Sequence, residues 1–136
     1  MTTWRRPSRC VWRSSRSCTA TTRSRSCWKQ GALRKHIGGA DMMAGQLGYL
    51  LSAMALPSVS IGIIPEDADR SSLWPVEGFF LYDGHTVHVE LVSAHLAVTQ
   101  KHELAMYART FTDLAELAVY GPAAPELVMA AIESLG

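Results

Sequence analysis

Four closely spaced histidines, His85, His88, His95 and His102, are the side chains in this 136-residue sequence best suited to chemistry. On a β-strand, His88 and Glu90 share a face because alternate residues point the same way. With His95 they make an imidazole and carboxylate set of the kind that binds zinc. No His-x-x-x-His helix pair and no nearby cysteine supports that set, so the expectation is a solvated or hydrogen-bonded strand edge and no metal. Glu90 can instead accept a bidentate pair from a cationic effector or from a partner's arginine. Trp74 lies in a long polar loop and can close over a ligand. Trp74, His88 and Glu90 are therefore the candidate ligand- or partner-binding residues.

Catalysis has little support. The sequence has no G-x-S-x-G, no phosphate loop and no dinucleotide fingerprint. Glu66, Asp67 and Asp69 are close together, but in a polar loop with nothing to desolvate them. Cys10, Cys18 and Cys27 all lie in the first thirty residues at gaps too wide for a structural zinc site. We expect no enzyme, no catalytic residue and no cofactor. The longest nearly apolar run, Leu47 to Leu56, is about half of the ~20 residues a membrane-spanning helix needs. No apolar stretch follows Arg5 and Arg6 as a secretory signal would require, so a cytoplasmic protein is expected.

The net charge of +1 hides a division. Residues 1–36 hold ten of the 13 Lys and Arg residues and no acid, while residues 37–136 hold all 12 acids. Residues 1–30 also lack Phe, Tyr, Leu and Ile. So little apolar side chain does not offset the entropy of ordering, and a disordered basic segment is expected there. Its alternatives are a nucleic-acid-binding arm with Trp4, Trp12 and Trp28 stacking on bases, a transit peptide, or an out-of-frame translation. The last is the favoured reading, on a specific basis. Taking the third base of each codon with the next two, from Trp12 to Lys29, permitted codons spell Glu-Glu-Gln-Pro-Val-Leu-Tyr-Gly-Asp-Asp-Pro-Val-Thr-Phe-Leu-Leu-Glu.

The elements that must position the candidate residues begin after residue 31. Met43, Leu47, Leu50, Leu51 and Met54 follow a helical period that Asp41 can cap and Pro57 ends, which predicts a helix over 41–55. Gly45 and Gly48 within it suit close packing. Val59, Ile61 and Ile63 alternate in a strand over 59–64 stopped by Pro65. Strands over 78–82 and 85–92 flank Asp83-Gly84, a strong hairpin signal. Leu104, Tyr107, Phe111 and Leu114 mark a helix over 100–119 capped by Thr99, and Val128, Ala131 and Ile132 mark one over 125–135. Met42, Met43, Met54 and Met106 read as core filling. The predicted fold class is α+β: a small antiparallel sheet of about three strands with the helices on one face.

Landmarks from about Gly31 to Gly136 resemble the C-terminal domain of unknown function in Xre-type helix-turn-helix transcriptional regulators of high-GC Gram-positive bacteria. They are Ala32-Leu33-Arg34, Gln46-Leu47, the strand Val59 to Pro65, Gly78-Phe79-Phe80-Leu81, Val87-His88-Val89-Glu90, then Tyr107, Phe111 and Leu114, and Pro125-Glu126. The family's helix-turn-helix and its lead-in strand are not readable here, and the shifted-frame Glu-Glu-Gln-Pro-Val-Leu-Tyr resembles that lead-in. The resemblance implies a truncated regulator: a non-enzymatic domain that binds a small-molecule effector or a protein partner, reaches DNA only through a helix-turn-helix this chain lacks, and leaves a homodimer open. The contrasting expectation is a small nucleic-acid-binding protein acting through the basic arm.

Overall fold

The computed structural model describes residues 9–14, 23–73 and 77–136. Along the chain, β1 (Arg9–Ser14) and β2 (Arg23–Lys29) lead through a 3₁₀ turn (Gln30–Arg34) into α1 (Ala40–Met54). There follow β3 (Val59–Ile64), the pair β4 (Phe79–Tyr82) and β5 (Thr86–Glu90), β6 (His95–Val98), α2 (Lys101–Leu117) and α3 (Ala123–Glu133). The class is α+β. One six-stranded sheet runs in the order β3-β2-β1-β4-β5-β6. β1 with β2, β4 with β5 and β5 with β6 are antiparallel, whereas β1 with β4 and β2 with β3 are parallel.

For the described residues 9–14 and 23–30, this arrangement corrects the expectation of a disordered segment. Two strands of that segment lie in the middle of the sheet, between β3 and β4. Cys27 and Trp28 are buried, and Ser26 with them. The sequence hides β2 because Arg23, Ser24, Arg25 and Ser26 contain no branched aliphatic residue; long-range pairing with strands on both sides, not local propensity, holds the strand. The expected antiparallel unit of three strands is present as β4, β5 and β6. β3 does not pair with the β4–β5 hairpin but sits at the far edge, two strands away.

Helices cover both faces of the sheet rather than one. Adjacent strand residues point to opposite faces, and Cys27 and Ile64 join Phe79, Leu81, Val87, Val89 and the α2 residues Phe111 and Leu114 in one core. Their neighbours Trp28 and Ile63 join Leu33, Leu47 of α1 and Ala124, Val128 and Ala131 of α3 in the other. α1 and α3 thus lie over the β2–β3 half of one face, and α2 packs on the opposite face. The β4–β5–β6 part of the α1/α3 face keeps Tyr82, Glu90 and His95 exposed and His88 half-buried.

Several local expectations hold, with shifted boundaries. Asp83 and Gly84 both adopt positive φ, 53° and 70°, as a primed turn demands, and the His85 N–H donates to the Tyr82 carbonyl at 2.9 Å. The strand read over 85–92 is shorter, ending at Glu90, and a further strand, β6, follows it. Asp41 and Thr99 are not the caps: Gly39 and Gln100 occupy those positions, and neither makes a side-chain cap bond. Met42 and Met106 are exposed rather than core. Gly45 and Gly48 pack against nothing, since a Cβ there would meet no atom within 4 Å.

Gly62 is the glycine whose missing side chain matters. A Cβ there would lie 2.6 Å from the Tyr120 ring and 2.8 Å from the Ala118 Cβ. This close approach lets the chain after α2 lie along β3, where Ile63 and Val119 exchange backbone hydrogen bonds of 3.1 and 2.8 Å and cover the sheet edge. Gly62→Ala is expected to cost about 1–3 kcal/mol by overpacking, read as a lower urea midpoint at unchanged slope.

Candidate functional site

The 3₁₀ turn after β2 sends the chain back across the sheet, so that α1 bridges β2 and β3. Met43, Leu47 and Leu50, on one stripe of α1, face the strands. Beneath them β2 contributes Ser24, Ser26 and Trp28, and β3 contributes Val59 and Ile61. Registered pairs share a face, and Ser24 pairs with Val59 and Ser26 with Ile61. Because two serines stand where an interior strand ordinarily carries bulky aliphatics, the helix and the sheet do not close on each other. A cavity of about 310 Å³ remains, open on one side past Gln46 and Tyr49.

The lining is mostly apolar with a few polar groups at the floor and rim. The Trp28 Nε1–H donates to the Ser26 Oγ at 3.0 Å, which fixes the indole along the floor. The size suits one aromatic ring system or a short acyl chain, with the serine hydroxyls and Gln46 to orient a polar end. Of these residues the sequence singles out only Trp28, and as a base-stacking residue rather than as part of a cavity. The readable signal was the pair of serines before Trp28, but its meaning depends on β2 being a covered strand.

The sequence-derived candidates fall elsewhere. Trp74 lies outside the described residues. His88 on β5 and His95 on β6 come together, His88 Nδ1 and His95 Nε2 being 3.1 Å apart, and the Tyr82 ring packs edge-on against His88 at 5.1 Å. Glu90 is exposed on the same face and pairs with His95 in register. His85 and His102 are exposed and take no part. Among the described residues no group of three His, Cys, Asp or Glu side chains is arranged to hold a metal. Asp69 is held below the usual carboxylate range by the Ser71 N–H, which donates to its Oδ1 at 2.9 Å.

A cysteine belongs to the ordered domain after all. Cys27 lies on the α2 face with its Sγ 3.6 Å from the Tyr120 hydroxyl. Burial pushes its thiol up, against smaller effects of Tyr120 and Arg25, so the sulfur stays protonated and unreactive. Burial, followed by the Cys27 contact, pushes the Tyr120 phenol up to about 12. Arg25, exposed on the α2 face, lies over the Phe111 ring at 5.5 Å, a cation–π contact. Burial and the Glu77 carboxylate, which accepts from the Tyr107 hydroxyl at 3.0 Å, push Tyr107 up as well.

The Tyr120 shift has a consequence in alkali. A phenol that ionises near 10 when unfolded and near 12 when folded stabilises the fold below pH 10 and loses that contribution as the pH rises between the two values. Melting temperature is expected to fall across this window, and Tyr120→Phe is expected to flatten the fall, as a series of thermal melts from pH 9 to 12 will read.

The chain is thus an α+β domain: a mixed sheet with helices on both faces and an apolar cavity beneath α1. Residues 9–129 match the family described as Domain of unknown function (DUF5753), and the chain belongs to it. The match takes in β1 and β2, so the family region begins well before Gly31. No curated protein and no solved structure matches the chain.

Proposed function

We propose that this chain is a non-enzymatic regulatory domain of a transcriptional regulator that binds a small amphipathic effector in the cavity beneath α1. The cavity carries the reading: about 310 Å³, with an apolar wall, two serine hydroxyls and an opening past Gln46. The effector class is a molecule of one or two rings, or a short acyl chain, with a single polar end. A ligand regulates only if it favours one arrangement over another. α1 is the element it would bias, because α1 roofs the cavity and packs on α3 through the shared core of Leu47, Val128 and Ala131. The resemblance to Xre-type regulators motivates the regulatory role and a cytoplasmic setting. Among the described residues no helix is long and apolar enough to cross a membrane.

The absence of enzymatic activity is part of the proposal. The buried Cys27 thiol is held protonated, and the exposed carboxylates Glu66, Asp67 and Asp69 stand in water. A protein partner in place of a small effector is favoured by a different observation: Leu91, Val92 and Leu96 are exposed together around the β5–β6 turn. The nucleic-acid reading loses one of its stacking residues, since Trp28 is only 8% exposed. Trp4 lies outside the described residues.

The test uses the full chain in a thermal-shift screen against small aromatic acids, amides and short-chain acyl compounds, followed by titration. Compounds that raise the melting temperature are expected to lose their effect in Ser26→Leu, which fills the cavity. If Ser26→Leu itself raises the melting temperature while no compound does so in the parent chain, the cavity is a packing void and the effector reading fails. Nucleic-acid binding that weakens steeply with salt would favour the contrasting function.

A further inference from the structure

The uncovered part of the α1/α3 sheet face holds a pair of ligating side chains that the effector proposal does not use. His88 and His95 stand on adjacent antiparallel strands, offset diagonally: His88 pairs with Ala97 and His95 with Glu90. Registered and alternate residues share a face, so all three chemistry-bearing residues, His88, Glu90 and His95, project to the same side. The rings are 5.0 Å apart at 84°, and the two facing nitrogens are 3.1 Å apart. Tyr82 packs edge-on against the other side of His88 and limits its rotation.

We propose that His88 Nδ1 and His95 Nε2 form a two-histidine chelate for a divalent transition ion of the imidazole-preferring class, zinc or nickel. The spacing supports it. Two nitrogens bound to one tetrahedral ion at about 2.0–2.1 Å are themselves about 3.3 Å apart, so the pair opens by a few tenths of an ångström while both rings turn until their lone pairs converge on the ion. The backbone already holds the bite. β5 and β6 are joined by a continuous ladder from Val87–Val98 to Glu90–His95, so little side-chain freedom is lost on binding.

The proton bookkeeping is simple. In the ion-free pair one ring donates its N–H to the other nitrogen. On binding, each ring carries its proton on the far nitrogen, both facing lone pairs go to the ion, and two neutral rings release no net proton. Water fills the remaining positions. Imidazole donors favour nickel and zinc over magnesium and calcium, which prefer oxygen. Both histidines line the solvent-facing part of the sheet, so an ion reaches them without local unfolding.

The experiment titrates the full-length chain with zinc chloride and with nickel chloride by calorimetry, with magnesium chloride as the control. One zinc per chain is expected at this pair, and His88→Ala and His95→Ala are each expected to weaken it by on the order of tenfold or more. His102→Ala should leave it unchanged. The ring-proton resonances of His88 and His95 should be the first to move on addition of zinc. Equal melting temperatures for parent and variants separate lost ligation from lost folding. Zinc affinity unchanged in both variants, or ring resonances of His88 and His95 that do not move, would overturn the proposal. Neither outcome bears on the cavity, which lies over β2 and β3.

Discussion

A chain that begins at Gln30 is expected to have no cooperative unfolding transition. Its loss follows from the strand order, because β1 and β2 join β3 to β4. Removing them leaves β3 without a ladder partner apart from its Val119 bridge, and leaves β4, β5 and β6 as a separate three-stranded piece. Each core loses a wall: Cys27 goes from the α2 side and Trp28 from the α1/α3 side. A β-structure so divided has too little covered surface to be stable alone. Circular dichroism and urea titration of the two chains side by side will show it. A shortened chain that melts at the parent temperature would mean that the cationic segment contributes nothing to the fold.

Phe79→Ala is expected to lower stability by about 3–5 kcal/mol. Phe79 is fully buried. It lies on β4, where the parallel ladder to β1 and the antiparallel ladder to β5 meet at Cys10 and Val89. Its ring meets the edge of Tyr107 on α2 with centroids 4.9 Å apart, a contact that adds to the area it buries. Truncation leaves a hole bounded by two ladders and a helix, none of which can move in to fill it, so the loss belongs at the upper end of that range. Against a marginal total stability, the variant is expected to be largely unfolded at physiological temperature. A urea midpoint within experimental error of the parent would show that α2 is not packed on β4.

Legibility in the sequence followed local signal. The hairpin was readable because Asp83-Gly84 supplies two residues that tolerate positive φ. α2 was readable because Tyr107, Phe111 and Leu114 repeat at helical spacing and do face the sheet. β6 was not, because His95-Leu96-Ala97-Val98 is four residues long and owes its shape to pairing with β5. β2 was not, because Ser24, Arg25 and Ser26 resemble solvated chain until strands on both sides of it are known. The two-faced layering was hidden for the same reason: with β1 and β2 absent from the reading, β3 was grouped with the hairpin and the sheet was too narrow to call for helices on both faces.

The candidate site divides similarly. His88 and Glu90 were legible as sharing a strand face, but their closeness to His95 needed the register of β6. The cavity needed β2. The shifted-frame string sets Val-Thr-Phe-Leu-Leu over residues 23–27, where β2 runs, and those side chains would cover an interior strand more fully than serines do. The codons from Trp12 to Lys29 are expected to permit that string; a single codon that excludes it removes the out-of-frame reading.

Amide hydrogen exchange across residues 24–29 probes the interior strand without altering the molecule. Backbone N–H groups of β2 that are bonded within the sheet, between β1 and β3, are expected to exchange as slowly as those of β4 and β5, through global opening alone. Exchange at the rate of an unstructured peptide throughout that stretch, with β4 and β5 still protected, would contradict the fold described and the cavity that depends on it.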